Sequence, residues 1–149
     1  MQATPFTYRQ VPAMPLSTLE HYLVMTADLA ATRAFYVDAL GFTDGFRPEL
    51  GFPGYWLYLG DTPCIHIAEW ETYTAHSHRL GLPVTAPAPG TGSLDHIAFH
   101  ASDYDGFVAR LAARGVRAHT LDTPAAGLRQ LFVLDPNGIK LEINFFSAR

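Results

Sequence analysis

A chain of 149 residues that is 48% apolar and 16% charged has enough Phe, Tyr, Leu and Val to build a core without disulfides, which excludes disorder as the default state. Its net charge of −4, with no cluster of Lys or Arg, opposes binding to phosphate backbones and anionic lipid surfaces, so neither a nucleic acid nor a membrane is an expected partner. The single cysteine, Cys64, cannot form an intrachain disulfide, and no apolar run is long enough for a bilayer span or a signal peptide; the expected location is a reducing cytoplasm.

In chain order, residues 1–16 read as an N-terminal extension that precedes a single domain over 17–149. Leu19 to Met25 reads as a strand, with Tyr22 and Val24 on one face and His21, Leu23 and Met25 on the other. Asp28 suits a helix N-cap, Leu29 to Leu40 has a helical apolar pattern, and Gly41 is a natural stop. Three short strands are expected near Phe42–Glu49, Tyr55–Leu59 and Cys64–Glu69, punctuated by Gly51, Pro53-Gly54 and Gly60-Asp61. His76 and His78 then fall in a loop, and Gly81 to Ser93, rich in Pro, Gly and Thr, reads as a linker.

The same order then returns. A strand is expected at His96–His100 and a helix at about Tyr104–Arg114 behind the cap Asp103, followed by strands near Arg117–Leu121, Leu128–Leu134 and Ile139–Phe145. Asp135-Pro136-Asn137-Gly138 makes the last hairpin turn. The repeat is visible residue by residue: Leu19-Glu20-His21 falls on Leu94-Asp95-His96 at an offset of 75, Asp28 on Asp103 at 75, Gly41 on Gly115 at 74, and Ile65-His66-Ile67 on Leu141-Glu142-Ile143 at 76. The expected fold class is therefore α+β, two tandem βαβββ modules over about 17–80 and 94–146 that form a curved, half-open mixed barrel.

Matching strands of the two modules carry polar groups at matching places: His21 and His96 on the first strands, His66 and Glu142 on the last. Each sits among apolar neighbours that point to the opposite strand face. A buried carboxylate is costly unless paired or bound to a cation, and neutral imidazoles beside it suit a divalent metal. His21, His96 and Glu142 are the candidate ligands, two His and one carboxylate, with positions left open as in non-haem Fe(II) oxygen chemistry. A structural polar network is the alternative. His100 lies on the His96 face but about 13 Å further along, too far to share a metal. Arg129 is the cation nearest the site strands, and Trp56, Tyr58, Phe99, Phe132 and Phe145 line either core or cavity.

Over Leu19 to Phe145 the chain resembles the vicinal oxygen chelate superfamily, which includes glyoxalase I, bleomycin-resistance proteins, methylmalonyl-CoA epimerase, fosfomycin-resistance enzymes and extradiol ring-cleaving dioxygenases. The residues that carry the resemblance are Leu19-Glu20-His21, Phe35-Tyr36, Leu40-Gly41-Phe42, Leu94-Asp95-His96-Ile97-Ala98-Phe99, Asp135-Pro136-Asn137-Gly138 and Leu141-Glu142-Ile143. The pattern is most similar to the catalytic half of the extradiol dioxygenases. That resemblance implies His21, His96 and Glu142 as ligands of Fe(II), with Mn, Ni, Co or Zn as other candidates. It also implies His66 as the acid/base for a catechol-type substrate, and His119 is a candidate hydrogen-bond donor to a substrate oxygen. Phe132 departs from the family's pattern, since those dioxygenases have Tyr there.

His66 has a competing role as a fourth ligand, which would give a His3Glu site and Lewis-acid isomerase, epimerase or lyase chemistry. A third expectation is a metal-free binding protein for small molecules, as in the bleomycin-resistance relatives. A small-molecule substrate and a homodimer are the expected partners.

Overall fold

A computed structural model describes residues 19–147; the extension read over 1–16 lies outside the described residues. Strand β1 spans Tyr22–Thr26 and helix α1 Leu29–Ala34, continued by a π-helical turn at Phe35–Ala39; β2 (Thr43–Asp44), β3 (Gly54–Leu59) and β4 (Thr62–Glu69) complete the first sheet. Helix α2 (Trp70–Leu80) leads into the linker. The second module contains β5 (Ile97–His100), α3 (Tyr104–Ala113), β6 (His119–Thr123), a single 3-10 turn at Pro124–Ala126, β7 (Leu128–Leu134) and β8 (Lys140–Phe146).

The two sheets have the same topology, in the orders β1-β4-β3-β2 and β5-β8-β7-β6. In each, the first strand runs parallel to the last and the remaining neighbours are antiparallel. This is the expected pair of βαβββ modules. The sheets are not joined into a barrel within the chain.

The helices cap as their sequences dictate. Asp28 Oδ1 accepts from the Ala31 amide at 2.9 Å, and Asp103 Oδ1 accepts from the Gly106 amide at 3.1 Å. Each satisfies an amide that the first helical turn leaves orphaned. The drop in repeat offset from 75 at the caps to 74 at Gly41 and Gly115 means that the first module has one residue more between cap and stop. The π turn absorbs it, with the Leu40 amide donating to Phe35 O, five residues back, at 3.3 Å. Tyr36 of that turn is fully buried.

The core lies between the helix-covered faces of the two sheets: Val24, Leu57, Ile65 and Ile67 from the first, Leu131, Val133, Leu141 and Ile143 from the second, with Tyr36, Phe42, Leu111 and Phe145. Each fully buried Leu, Ile or Val contributes about 1.5–3 kcal/mol relative to exposure. A polar staple crosses the module boundary. The Asp135 carboxylate, 4% exposed, accepts from Tyr36 Oη at 3.0 Å and from the Asn137 and Ile139 amides at 2.8 Å each. Asn137 Nδ2 donates to Thr32 Oγ1 at 3.0 Å, so the second module's hairpin turn is tied to the first module's helix.

Two expectations need correction. The strand expected over Phe42–Glu49 shrinks to Thr43–Asp44. Gly45 lies against the Tyr58 ring, where a Cβ would come within 2.6 Å, and beyond it the chain leaves the sheet and Phe46 is exposed. The segment containing His76 and His78 is not a loop but the helix α2. Its Thr, His, Ser and aromatic residues have modest helix propensity, yet packing fixes it: Ser77 is buried, and Gly81 in the left-handed region closes the last turn.

Candidate metal centre

His21 and His96 occupy equivalent places, each one residue before the first strand of its module. Each is held by the carboxylate that precedes it. His21 Nδ1 donates to Glu20 Oε1 at 3.0 Å and His96 Nδ1 to Asp95 Oδ1 at 2.7 Å. A carboxylate on Nδ1 orients the ring and directs Nε2 to its other side, the arrangement that orients metal-bound histidines. Lys140 Nζ lies 2.6 Å from Asp95 Oδ1. Together, Lys140 first and His96 second hold the Asp95 carboxyl below its usual range.

On the second sheet, His96 Nε2 lies 3.0 Å from Glu142 Oε2, and the Glu142 side chain is only 14% exposed. The other carboxylate oxygen is occupied: Oε1 accepts from Gln130 Nε2 at 2.9 Å and from Asn144 Nδ2 at 2.8 Å. Register places Ala98, Glu142, Phe132 and His119 in one row across β5, β8, β7 and β6. Side chains directly opposite share a face, so His119, which is exposed, is on the Glu142 face two strands away. An open cavity of about 430 Å³ lies beside this row, lined by His119, Phe132, Val133, Leu134 and Lys140. That is the size of small-molecule sites. A larger groove of about 560 Å³ lies between β1, α2 and the linker, and neither space is lined by His21, His66, His96 or Glu142 themselves.

On the first sheet, His66 is sandwiched. Its ring lies 4.2 Å from that of Trp56, at 4° between planes, and 3.7 Å from that of His21, at 18°. Trp56 and His66 are direct register partners on the face opposite the core. His66 Nε2 is buried with no hydrogen-bond partner among the described residues. Burial first, and the neighbouring His21 second, push its pKa down to about 4, so the imidazole is neutral at pH 7. An orphaned, neutral imidazole nitrogen is costly as a structural feature and well suited to a metal.

The structure therefore makes two pairs, His21 with His66 and His96 with Glu142. Among the described residues no group of three or more His, Cys, Asp or Glu side chains gathers in metal-binding geometry. The donor chemistry fits a divalent metal, pair by pair. His100 stands beyond the site near Phe146, 5.7 Å between rings.

Other residues separate cleanly. Trp56 and Phe132 lie on the ligand-bearing faces, whereas Phe99 and Phe145 belong to the core and Tyr58 donates to Phe46 O at 2.7 Å. Arg129 is on the opposite face from Glu142, with its guanidinium carbon 3.4 Å from the Tyr104 ring centroid and its nitrogens 3.5 Å from Asp122 and 3.8 Å from Asp105. On the Glu142 face of the second sheet, Lys140 supplies a cation. Its position two residues before Glu142 on the same strand was the available signal, as were those of Gln130 and Asn144, which alternate with apolar core residues on β7 and β8.

Among the described residues no helix is long and apolar enough to cross a membrane. A family model for the glyoxalase/bleomycin resistance protein/dioxygenase superfamily matches residues 18–143. The uncharacterized protein YaeR of Escherichia coli strain K12 is 30% identical over 130 residues, which cover 86% of this chain and 95% of that protein. The crystal structure of lactoylglutathione lyase from Agrobacterium tumefaciens is similar with a TM-score of 0.66 and 21% identity, covering 88% of this chain and 95% of that one. The fosfomycin resistance protein FosX of Listeria monocytogenes is similar with a TM-score of 0.65 and 18% identity, covering 89% and 95%. With the ligand-bearing strands inside the matched span, the chain belongs to the glyoxalase/bleomycin resistance protein/dioxygenase superfamily.

Proposed function

We propose that this protein is a metal-dependent enzyme that acts on a small molecule with two adjacent oxygen atoms, by lyase- or isomerase-type proton transfer. The observation that carries this reading is the buried, unpartnered Nε2 of His66. It stands at the place in the first module that Glu142 holds in the second, and each is beside the histidine preceding its module's first strand. The repeat thus equates His66 with a ligand, giving His21, His66, His96 and Glu142 as the donor set. Three imidazoles and one carboxylate favour Zn, Ni or Co over Fe(II).

When bound, such a metal supplies Lewis-acid polarisation of the substrate's adjacent oxygens. The chain's own residues do the rest. Phe132 and Leu134 give an apolar wall, Lys140 places a cation at its edge, and His119 offers an imidazole two strands from Glu142 for a substrate oxygen. The similar structure of a lactoylglutathione lyase supports this chemistry at the level of the fold.

Each chain holds two half-sites, so the reading includes a homodimer in which the first module of one copy faces the second module of its partner. Two-fold closure would then build two complete sites.

The second reading is extradiol-type oxygen chemistry on a catechol, with Fe(II) on His21, His96 and Glu142 and His66 as acid/base. It draws on the placement of His66 beside His21 rather than beside the carboxylate. The deciding experiment incubates the metal-loaded dimer with a panel of α-hydroxycarbonyl compounds in D2O and with catechols under O2. Deuterium entering the carbon next to the carbonyl, read by NMR, supports the first reading; O2 uptake with ring-opened product replaces it with the second. Neither activity, in protein that binds metal, would favour a binding protein.

A further inference from the structure

We propose that Gln130 and Asn144 are positioning residues that act through Glu142, holding one carboxylate oxygen so that only the other is offered to a metal; this rests on the metal reading above. Three hydrogen bonds carry it. Gln130 Nε2 donates to Glu142 Oε1 at 2.9 Å and to Asn144 Oδ1 at 2.9 Å, and Asn144 Nδ2 donates to the same Oε1 at 2.8 Å. Oε1 therefore has two amide donors, whereas Oε2 faces His96 Nε2 at 3.0 Å.

The arrangement is set by the sheet. Gln130 and Asn144 are direct partners across β7 and β8, and Glu142 is two residues before Asn144 on the same face. All three sit on strands whose alternate residues are buried core, namely Leu131, Val133, Leu141, Ile143 and Phe145. The backbone under the three side chains is thus fixed by packing, and each amide locks the other's rotamer. A Glu side chain free to rotate can ligate through one oxygen or two. Two charge-assisted donors on Oε1 disfavour the two-oxygen mode, because ligation through Oε1 would compete with both bonds. One-oxygen ligation keeps a coordination position open for substrate, as catalytic sites require. Outer donors of this kind commonly change metal affinity by about 10–100-fold when removed.

The test uses the full chain as its dimer, titrated with Co(II), whose visible absorption reports coordination number and whose affinity is read against a chromophoric chelator. Wild type is compared with Gln130→Met and Asn144→Leu, which keep volume and remove the donors, and with the double variant; thermal melting of the metal-free proteins checks that each is folded. The expected result is a loss of Co(II) affinity of about 10-fold per single variant, with the absorption bands weakening as Glu142 takes up the metal through both oxygens. The Asn144→Gln variant, which keeps a donor, should recover part of the affinity. Variants that bind Co(II) with wild-type affinity and spectrum would overturn the clamp while leaving the metal site standing. Wild type that takes up no Co(II) would overturn both, and thereby separates the two failures.

Discussion

His96 Nε2 meets Glu142 Oε2 at 3.0 Å on one sheet, whereas the equivalent histidine of the other module, His21, lies stacked on His66. Two pairs that do not meet within a chain make a direct expectation for the assembly. A chain carrying His21→Ala and His66→Ala should bind no metal alone, and neither should a chain carrying His96→Ala and Glu142→Ala. Heterodimers purified through two different affinity tags should hold about one metal per dimer, because one of the two interfaces then joins intact halves. Heterodimers with no metal would place each site within one chain.

The half-buried position of His66, with its Nε2 out of reach of solvent, has a consequence for acid stability. Its pKa is pushed from 6.5 down to about 4 by burial and by His21. Between those values the unfolded chain binds a proton that the folded chain refuses, so stability falls as pH drops through that window and the loss is complete below about pH 4. Melting temperatures of metal-free protein from pH 7 to 4 should decline, and His66→Gln, which cannot titrate, should flatten the decline. An equal slope in the variant would show that His66 does not carry it.

Asp135 is a structural group rather than a chemical one. Removing it in Asp135→Ala leaves Tyr36 Oη and two amides without an acceptor, and should cost about 3–5 kcal/mol by urea unfolding. Tyr36→Phe removes one bond only and should cost about 1–2 kcal/mol. The double variant should cost less than the sum of the two, since the variants share a bond.

His119 is exposed, and two strands separate it from Glu142, roughly 10 Å at the usual strand spacing. His119→Ala should therefore leave metal content unchanged and lower turnover by about 10–100-fold if it bonds a substrate oxygen. Loss of metal in this variant would make it a ligand instead.

Much of this architecture is legible in the sequence because it is written twice. The caps Asp28 and Asp103, the stops Gly41 and Gly115, and the turn at Asp135 to Gly138 recur or conform to local rules, and local rules are what a sequence displays. Even the extra residue before Gly41 shows as a change of offset, although only the structure reveals the π turn that absorbs it. The helix over Trp70–Leu80 is not legible, because its polar, β-branched and aromatic residues are helical only through packing against β4 and closure by Gly81. The site is half legible. Strand alternation puts His66 and Glu142 each on the face of its own sheet that points away from the core, but which side chains meet depends on sheet register and on the angle between modules. Arg129 and Lys140 show the same limit: both are cations on site strands, and a single step in register parity sends one to Tyr104 and the other to Asp95.

The most direct test of a metal centre built from these pairs is elemental analysis of the purified protein after loading in turn with Zn, Ni, Co, Mn and, anaerobically, Fe(II), with His96→Ala and Glu142→Ala beside wild type. The expected result is about one divalent metal per chain in wild type and a large loss in both variants. Wild type that retains no metal under any loading would contradict it and leave the His21–His66 and His96–Glu142 pairs as structural polar contacts.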